Sequence, residues 1–203
     1  MYIVLSFILM FSSLIHHNDV ESKTIIFYGD SITAGYGVGT EFAFPYLIEL
    51  QLDKDGFEVE VVNAGLSGET SAGVLTRIDW ILNREFDVFV LELGANDGLR
   101  GLPVKETGKN LQAIINKVKA KYPNTQIVLA GMMVPPNMGQ DYAKEFESLY
   151  PQLAKKNKAV LIPFLLKDVA GIAELNQPDG IHPNSKGHKI IADNLYPYFK
   201  KLF

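Results

Sequence analysis

The chain has 203 residues, 47% hydrophobic and 21% charged, which suits one domain with a buried core and excludes a disordered or low-complexity chain. Nineteen Lys and Arg stand against 23 Asp and Glu, a formal net charge of −4. No basic block is present to neutralise a phosphate backbone, so nucleic acid is not an expected partner. Cysteine is absent, which removes disulfides, thiolate metal sites, a Cys nucleophile and a lipid-modified Cys anchor together.

Residues 1–15 are apolar except for Ser6, Ser12 and Ser13, a run too short for an ordinary transmembrane helix and of the right length for a signal-peptide core. No Lys or Arg precedes Lys23, and no clean small-x-small cleavage site follows the run. The expectation is that residues 1–22 are a signal peptide or apolar N-terminal segment, that residues 23–203 form the working domain, and that the protein is periplasmic or secreted. An uncleaved anchor and a helix packed on the domain are the alternatives. Once the segment is removed, no membrane-spanning element is expected.

From Lys23 onward, apolar runs of strand length alternate with stretches of helical period. Strands are predicted at residues 24–28, 59–63, 88–93, 127–130 and 160–163, and helices at 42–52, 71–82, 104–121, 142–156 and 186–202. Five βα units in this order predict an α/β fold, a parallel sheet covered by helices on both faces. Ligands bind beyond the carboxyl ends of strands in such sheets, and the segments there are Gly29-Asp30-Ser31-Ile32, Ala64-Gly65-Leu66-Ser67-Gly68 and Gly94-Ala95-Asn96-Asp97.

Ser31 stands where a buried strand gives way to a turn, a suitable place for a nucleophile. A serine hydroxyl needs a base within hydrogen-bond reach and a third group to orient that base. Only four histidines occur, His16, His17, His182 and His188, and Asp179-Gly180-Ile181-His182 offers a base and an orienting carboxylate in one turn. A Ser31, His182 and Asp179 triad is therefore expected. Acyl transfer also needs donors for the developing oxyanion; the candidates are the Ser31 amide, the Gly65 amide and the side-chain amide of Asn96. Asp97 is expected to hold the Asn96 loop through backbone amides.

These blocks, in this order, resemble the SGNH (GDSL) hydrolases: Gly29-Asp30-Ser31-Ile32, Gly65 within Asn63-Ala64-Gly65, Gly94-Ala95-Asn96-Asp97 and Asp179-Gly180-Ile181-His182. Longer strings, 94–101, 134–139 and 179–184, are similar to the branch containing arylesterases and thioesterase I/lysophospholipase L1. The resemblance implies a flavodoxin-like three-layer α/β/α sandwich on a five-stranded parallel sheet. It also implies Ser31 as nucleophile, His182 as base, Asp179 as its orienter, and Ser31, Gly65 and Asn96 as oxyanion donors. It implies no metal and no cofactor, an exported protein, and a small-molecule acyl ester or thioester as substrate.

Other motifs carry less. Gly35-Tyr36-Gly37-Val38-Gly39 lacks the last glycine of a dinucleotide fingerprint, and no serine sits in a Gly-x-Ser-x-Gly elbow. A metal site of His182, His188 and Asp179 is set aside because His188 is expected on the solvent side of the last helix with no fourth ligand nearby. The loops at 99–105 and 134–141 are expected to flank the serine, with Leu99, Val134, Pro135 and Pro136 lining an acyl site and Leu102, Pro103 and Met138 beside them. Met132 and Met133 are read as core. A carbohydrate O-acetyl esterase is the alternative enzyme, and a noncatalytic module keeping the fold is the reading from another class.

Overall fold

The computed structural model describes residues 22–203; the predicted apolar segment 1–15 and all but Ser22 of the proposed leader lie outside the described residues. Five parallel strands form one sheet: β1 (Lys23–Gly29), β2 (Val59–Asn63), β3 (Val88–Glu92), β4 (Gln126–Ala130) and β5 (Val160–Ile162), in the order β2-β1-β3-β4-β5. The interior strands read as apolar runs because both faces are covered; all five residues of β3 are buried. Edge strand β2 is only partly buried.

Among the described residues seven α-helices follow in chain order: α1 (Ser31–Ala34), α2 (Phe44–Lys54), α3 (Ser71–Ile81), α4 (Ala95–Leu99), α5 (Val104–Lys121), α6 (Gln140–Asn157) and α7 (Ser185–Phe199). Adjacent residues of a strand point to opposite faces, so two residues of β1 define the layers. Phe27 packs against Phe44 of α2 and Phe199 of α7, whereas the Tyr28 hydroxyl donates to the Val74 carbonyl of α3 at 2.8 Å. Helices α2 and α7 pair on one face, and α3, α5 and α6 form a row on the other.

The strand order also locates the site. From β1 the chain runs outward to β2 and then crosses back to β3 on the other side of β1. The two connections therefore diverge between β1 and β3, and a crevice opens at their carboxyl ends. The two helices without a sequence-based expectation, α1 and α4, begin there. Each is a single short turn, too brief to show an apolar period.

One expectation is corrected. His188 lies on the inner face of α7, 1% exposed, with its ring stacked on Phe44 and Nδ1 accepting the Phe44 N–H at 3.3 Å. It belongs to the stripe His188, Ile191, Leu195 and Phe199, whose spacings of three and four are those of a buried helix face. Burial lowers its pKa to about 4, so it is a neutral acceptor.

Candidate active site

Asp30 caps α1, its Oδ1 accepting the Ile32 N–H at 3.0 Å, and so sets Ser31 as the first helical residue. The N–H groups of the first helical turn have no intrahelical acceptor, which leaves the Ser31 amide facing the crevice end of the helix. Ser31 is 7% exposed. Its Oγ lies 2.9 Å from His182 Nε2, and His182 Nδ1 lies 2.7 Å from Asp179 Oδ2. The three residues picked from the sequence are thus brought into one hydrogen-bonded line.

The imidazole is carried by a turn that folds on itself. Asp179 Oδ1 accepts the N–H groups of Ile181 and His182 at 2.9 and 3.0 Å, and Gly180 between them takes a φ of +69° that favours glycine. The hydrogen bond from His182, then these amides, hold the Asp179 carboxyl down at about 2. It stays ionised across the neutral range. The Tyr36 ring rests on the imidazole at 4.7 Å between centroids.

The three candidate oxyanion donors surround the same helix start. A Cβ on Gly65 would lie 2.3 Å from the Ala34 nitrogen and 2.8 Å from the Asp30 carbonyl, so only glycine lets this loop press against α1. The Gly65 N–H donates to Asn63 Oδ1 at 3.0 Å, and Asn96 Nδ2 donates to Asp30 Oδ2 at 3.2 Å and the Glu69 carbonyl at 3.0 Å. Asp97 ties the Asn96 loop to α3 and α5 and not, as expected, through amides of its own loop. Its carboxylate accepts the amide and hydroxyl of Ser71 at 2.8 and 2.5 Å and the Thr107 hydroxyl at 3.2 Å.

Beneath Ser31 lies a pair of carboxyls that sequence reasoning did not single out. Glu92 ends β3 fully buried, with Oε2 accepting the Thr33 hydroxyl at 2.7 Å and the Asp30 N–H at 3.3 Å. Burial, then the charge of Asp30, raises its pKa well above the ordinary range. Asp30 is itself pushed up to about 6 by burial, against the opposing pull of the amides it accepts. Burial thus favours the protonated form of both carboxyls, and of Glu92 the more strongly. The available signal was one acidic residue closing the otherwise apolar run Val88-Phe89-Val90-Leu91-Glu92.

A largely apolar groove of about 410 Å³ opens from this corner. Ile32, next to Ser31, and Gly180-Ile181 of the imidazole turn border it, as do Leu99, Val134 and Pro135. The side chain of Pro136 lies outside the described residues. Leu102, Pro103 and Met138 do not border the groove; the Leu102 carbonyl instead accepts from the Tyr142 hydroxyl at 2.7 Å. Met132 is buried as expected, but Met133 is 43% exposed and both line the groove, because the chain there has left β4 and its side chains face the crevice. A larger depression of about 710 Å³ between α5 and α6 contains none of these groups, so chemistry rather than size locates the site. Among the described residues no cluster of three or more acidic or histidine side chains is arranged to hold a metal.

Residues 27–190 match the GDSL-like Lipase/Acylhydrolase family. The chain belongs to this family. It is 36% identical over 182 residues to Esterase TesA of Pseudomonas aeruginosa, covering 89% of this chain and 90% of that protein. It is 37% identical over 185 residues to the Thioesterase 1/protease 1/lysophospholipase L1 of Escherichia coli, covering 91% and 86%. The crystal structure of the psychrotrophic esterase EstA from a Pseudoalteromonas species, inhibited by monoethylphosphonate, superimposes with a TM-score of 0.83 at 39% identity, covering 89% of this chain and 98% of that one. The expected SGNH fold, five parallel strands between two helical layers, is the fold of this GDSL family member.

Proposed function

We propose that this carboxylic ester hydrolase works through an acyl-enzyme on Ser31, with His182 as general base and Asp179 as the group that orients it. The observation that carries the reading is the line from Ser31 Oγ through the imidazole to Asp179 Oδ2, with contacts of 2.9 and 2.7 Å. Ser31 Oγ bonds to the substrate carbonyl carbon as its proton passes to Nε2. The imidazolium so formed is stabilised by ionised Asp179. The carbonyl re-forms, the alcohol or thiol leaves with the proton from Nε2, and the acyl group stays on Oγ. Water then gives a proton to Nε2 and attacks the acyl carbon; Oγ takes that proton back as the carboxylic acid departs.

The developing oxyanion is met by the Ser31 and Gly65 amides and by Asn96. The last two take part through three-centre bonds, since their hydrogens already serve Asn63, Asp30 and the Glu69 carbonyl. The substrate is a small-molecule acyl ester or thioester whose acyl chain enters the groove bounded by Leu99, Val134 and Pro135. Residues 1–22 serve export on this reading, and N-terminal sequencing of protein recovered outside the cytoplasm tests that separately.

The deciding assay runs the protein and its Ser31→Ala variant against p-nitrophenyl esters from acetate to palmitate and an acyl-CoA. Ser31-dependent turnover peaking at medium or long chains is the expected result. A peak at acetate, with cleavage of acetyl-xylan, would favour a carbohydrate O-acetyl esterase. Full turnover by a folded Ser31→Ala protein would overturn the mechanism.

A further inference from the structure

Arg77, on α3, lies behind the oxyanion donors without touching the triad. Its guanidinium donates from Nε to Glu69 Oε2 at 2.6 Å and from Nη2 to the Ala64 carbonyl at 3.0 Å and the Gly29 carbonyl at 3.4 Å. The group also lies 4.4 Å over the Tyr28 ring, and both members of its ion pair are largely buried.

Each of these contacts leads to a different donor. Gly29 is two residues before Ser31, so its carbonyl belongs to the peptide that enters Asp30 and the start of α1. Ala64 is bonded to Gly65, and its carbonyl is part of the peptide unit whose N–H is the Gly65 donor. Glu69 holds the third donor with its other end: its backbone carbonyl accepts Asn96 Nδ2 at 3.0 Å. We propose that Arg77 is a positioning residue that ties the three loops carrying the Ser31, Gly65 and Asn96 donors into one rigid pocket.

The residue type fits the task. The Ala64 carbonyl, just past the end of β2, takes its hydrogen bond from this guanidinium, and the Gly29 carbonyl at the end of β1, which already accepts the Leu66 N–H at 3.0 Å, takes a second, longer one; a charged donor shared between them fixes their planes. Because a peptide is planar, holding the Ala64 carbonyl fixes the direction of the Gly65 N–H. A planar guanidinium can reach a carboxylate and two carbonyls at once in a set geometry; a lysine ammonium on a flexible stem cannot reproduce that fork. Catalytic donors misplaced by about 1 Å cost on the order of 10²-fold in rate, so the effect should fall on kcat.

The proposal rests on the acyl-enzyme reading, and the test keeps the two apart. Kinetic constants for p-nitrophenyl butyrate are measured for the parent protein, Arg77→Met, Arg77→Lys and Asn96→Ala, and for Arg77→Met combined with Asn96→Ala, alongside the thermal midpoint of each. The expected result is a loss of about 30- to 100-fold in kcat for Arg77→Met with KM within about twofold. Arg77→Lys should recover little of it. In the Asn96→Ala background the same replacement should cost several-fold less, because one donor it positions is already gone. Arg77→Ala should regain part of its kcat on adding tens of millimolar guanidinium chloride, well below denaturing concentrations.

A folded Arg77→Met protein with kcat within threefold of the parent would overturn the proposal. So would strictly additive losses with Asn96→Ala, which is what a general structural role predicts. Should Arg77→Met fail to fold, Arg77→Lys and Glu69→Gln carry the same comparison, and parental kcat in both would count against the idea. Absence of Ser31-dependent turnover in the parent protein would remove the acyl-enzyme reading and this proposal with it.

Discussion

The two halves of the candidate triad are held by opposite means. The Ser31 corner is buried, with Asp30, Ser31, Thr33 and Glu92 all less than 10% exposed, and it is anchored to the ends of β1 and β3. The Asp179 to His182 turn lies in the irregular stretch between β5 and α7, with side chains 39% and 20% exposed. It is held by its own hydrogen bonds and by Gln177, which donates to the Tyr36 and Pro183 carbonyls at 2.6 and 3.0 Å. The sheet and its buried polar network place the nucleophile; a local turn places the base. Damage to the buried network beneath Ser31 should therefore appear mainly as lost stability, and damage to the turn that carries His182 mainly as lost rate.

The sharpest way to break this comparison is Asp179→Asn. With the carboxylate gone, the imidazole loses the acceptor that sets its tautomer, and kcat should fall by about 10³- to 10⁴-fold. The thermal midpoint should barely move, since the side chain is exposed. A large drop in midpoint would show that the turn is structural after all.

On the buried side, Glu92→Ala should destabilise the protein by about 3 kcal/mol, through a cavity and two donors left without an acceptor. Glu92→Gln should cost much less, because burial already favours the neutral form of the native side chain. The sign of its pH dependence follows from the raised pKa. A carboxyl that binds its proton more tightly folded than unfolded contributes stability at low pH and loses it as pH rises through the folded value. Urea melts at increasing pH should show that loss in the parent protein and not in Glu92→Gln.

Gln177→Ala sharpens the other side. It releases the base turn from the Tyr36 loop, and kcat should fall about tenfold with KM and stability little changed. Equal losses in kcat and in midpoint would merge the two regions into one.

At neutral pH the smallest effect belongs to His188. Its pKa is lowered from 6.5 to about 4 by burial, so between those values the unfolded chain binds a proton that the native chain refuses. Stability from this group is complete above pH 6.5, falls by about 1 kcal/mol per pH unit on acidification, and levels off below pH 4. The difference between the parent and His188→Gln, measured by urea melts across that window, should show this slope.

Much of the molecule was legible in residue order. Strand-length apolar runs and helices of period 3.6 appear because a two-faced parallel sheet demands them, and all five strands lie within one residue, and all five long helices within a few residues, of their expected places. Ser31, Asp179 and His182 could be paired from chemistry alone, since a serine base and its orienting carboxylate had few other places to come from. The expectation for His188 fails because a polar side chain can share a buried stripe, here with Ile191 and Leu195. Met133 was misplaced because apolar character does not distinguish a core from a crevice.

What the sequence by itself determined is the alternation of elements and the residue types at the strand ends, both written in local patterns of one or two turns. What only the tertiary structure decided is which carbonyl each distant side chain meets. The bond from the Asp30 N–H to the Glu92 carboxyl, 62 residues apart, and the reach of Arg77 to Gly29, 48 residues away, depend on strand order and helix packing. Such contacts are set by three-dimensional closure of the sheet, and no spacing along the chain encodes them.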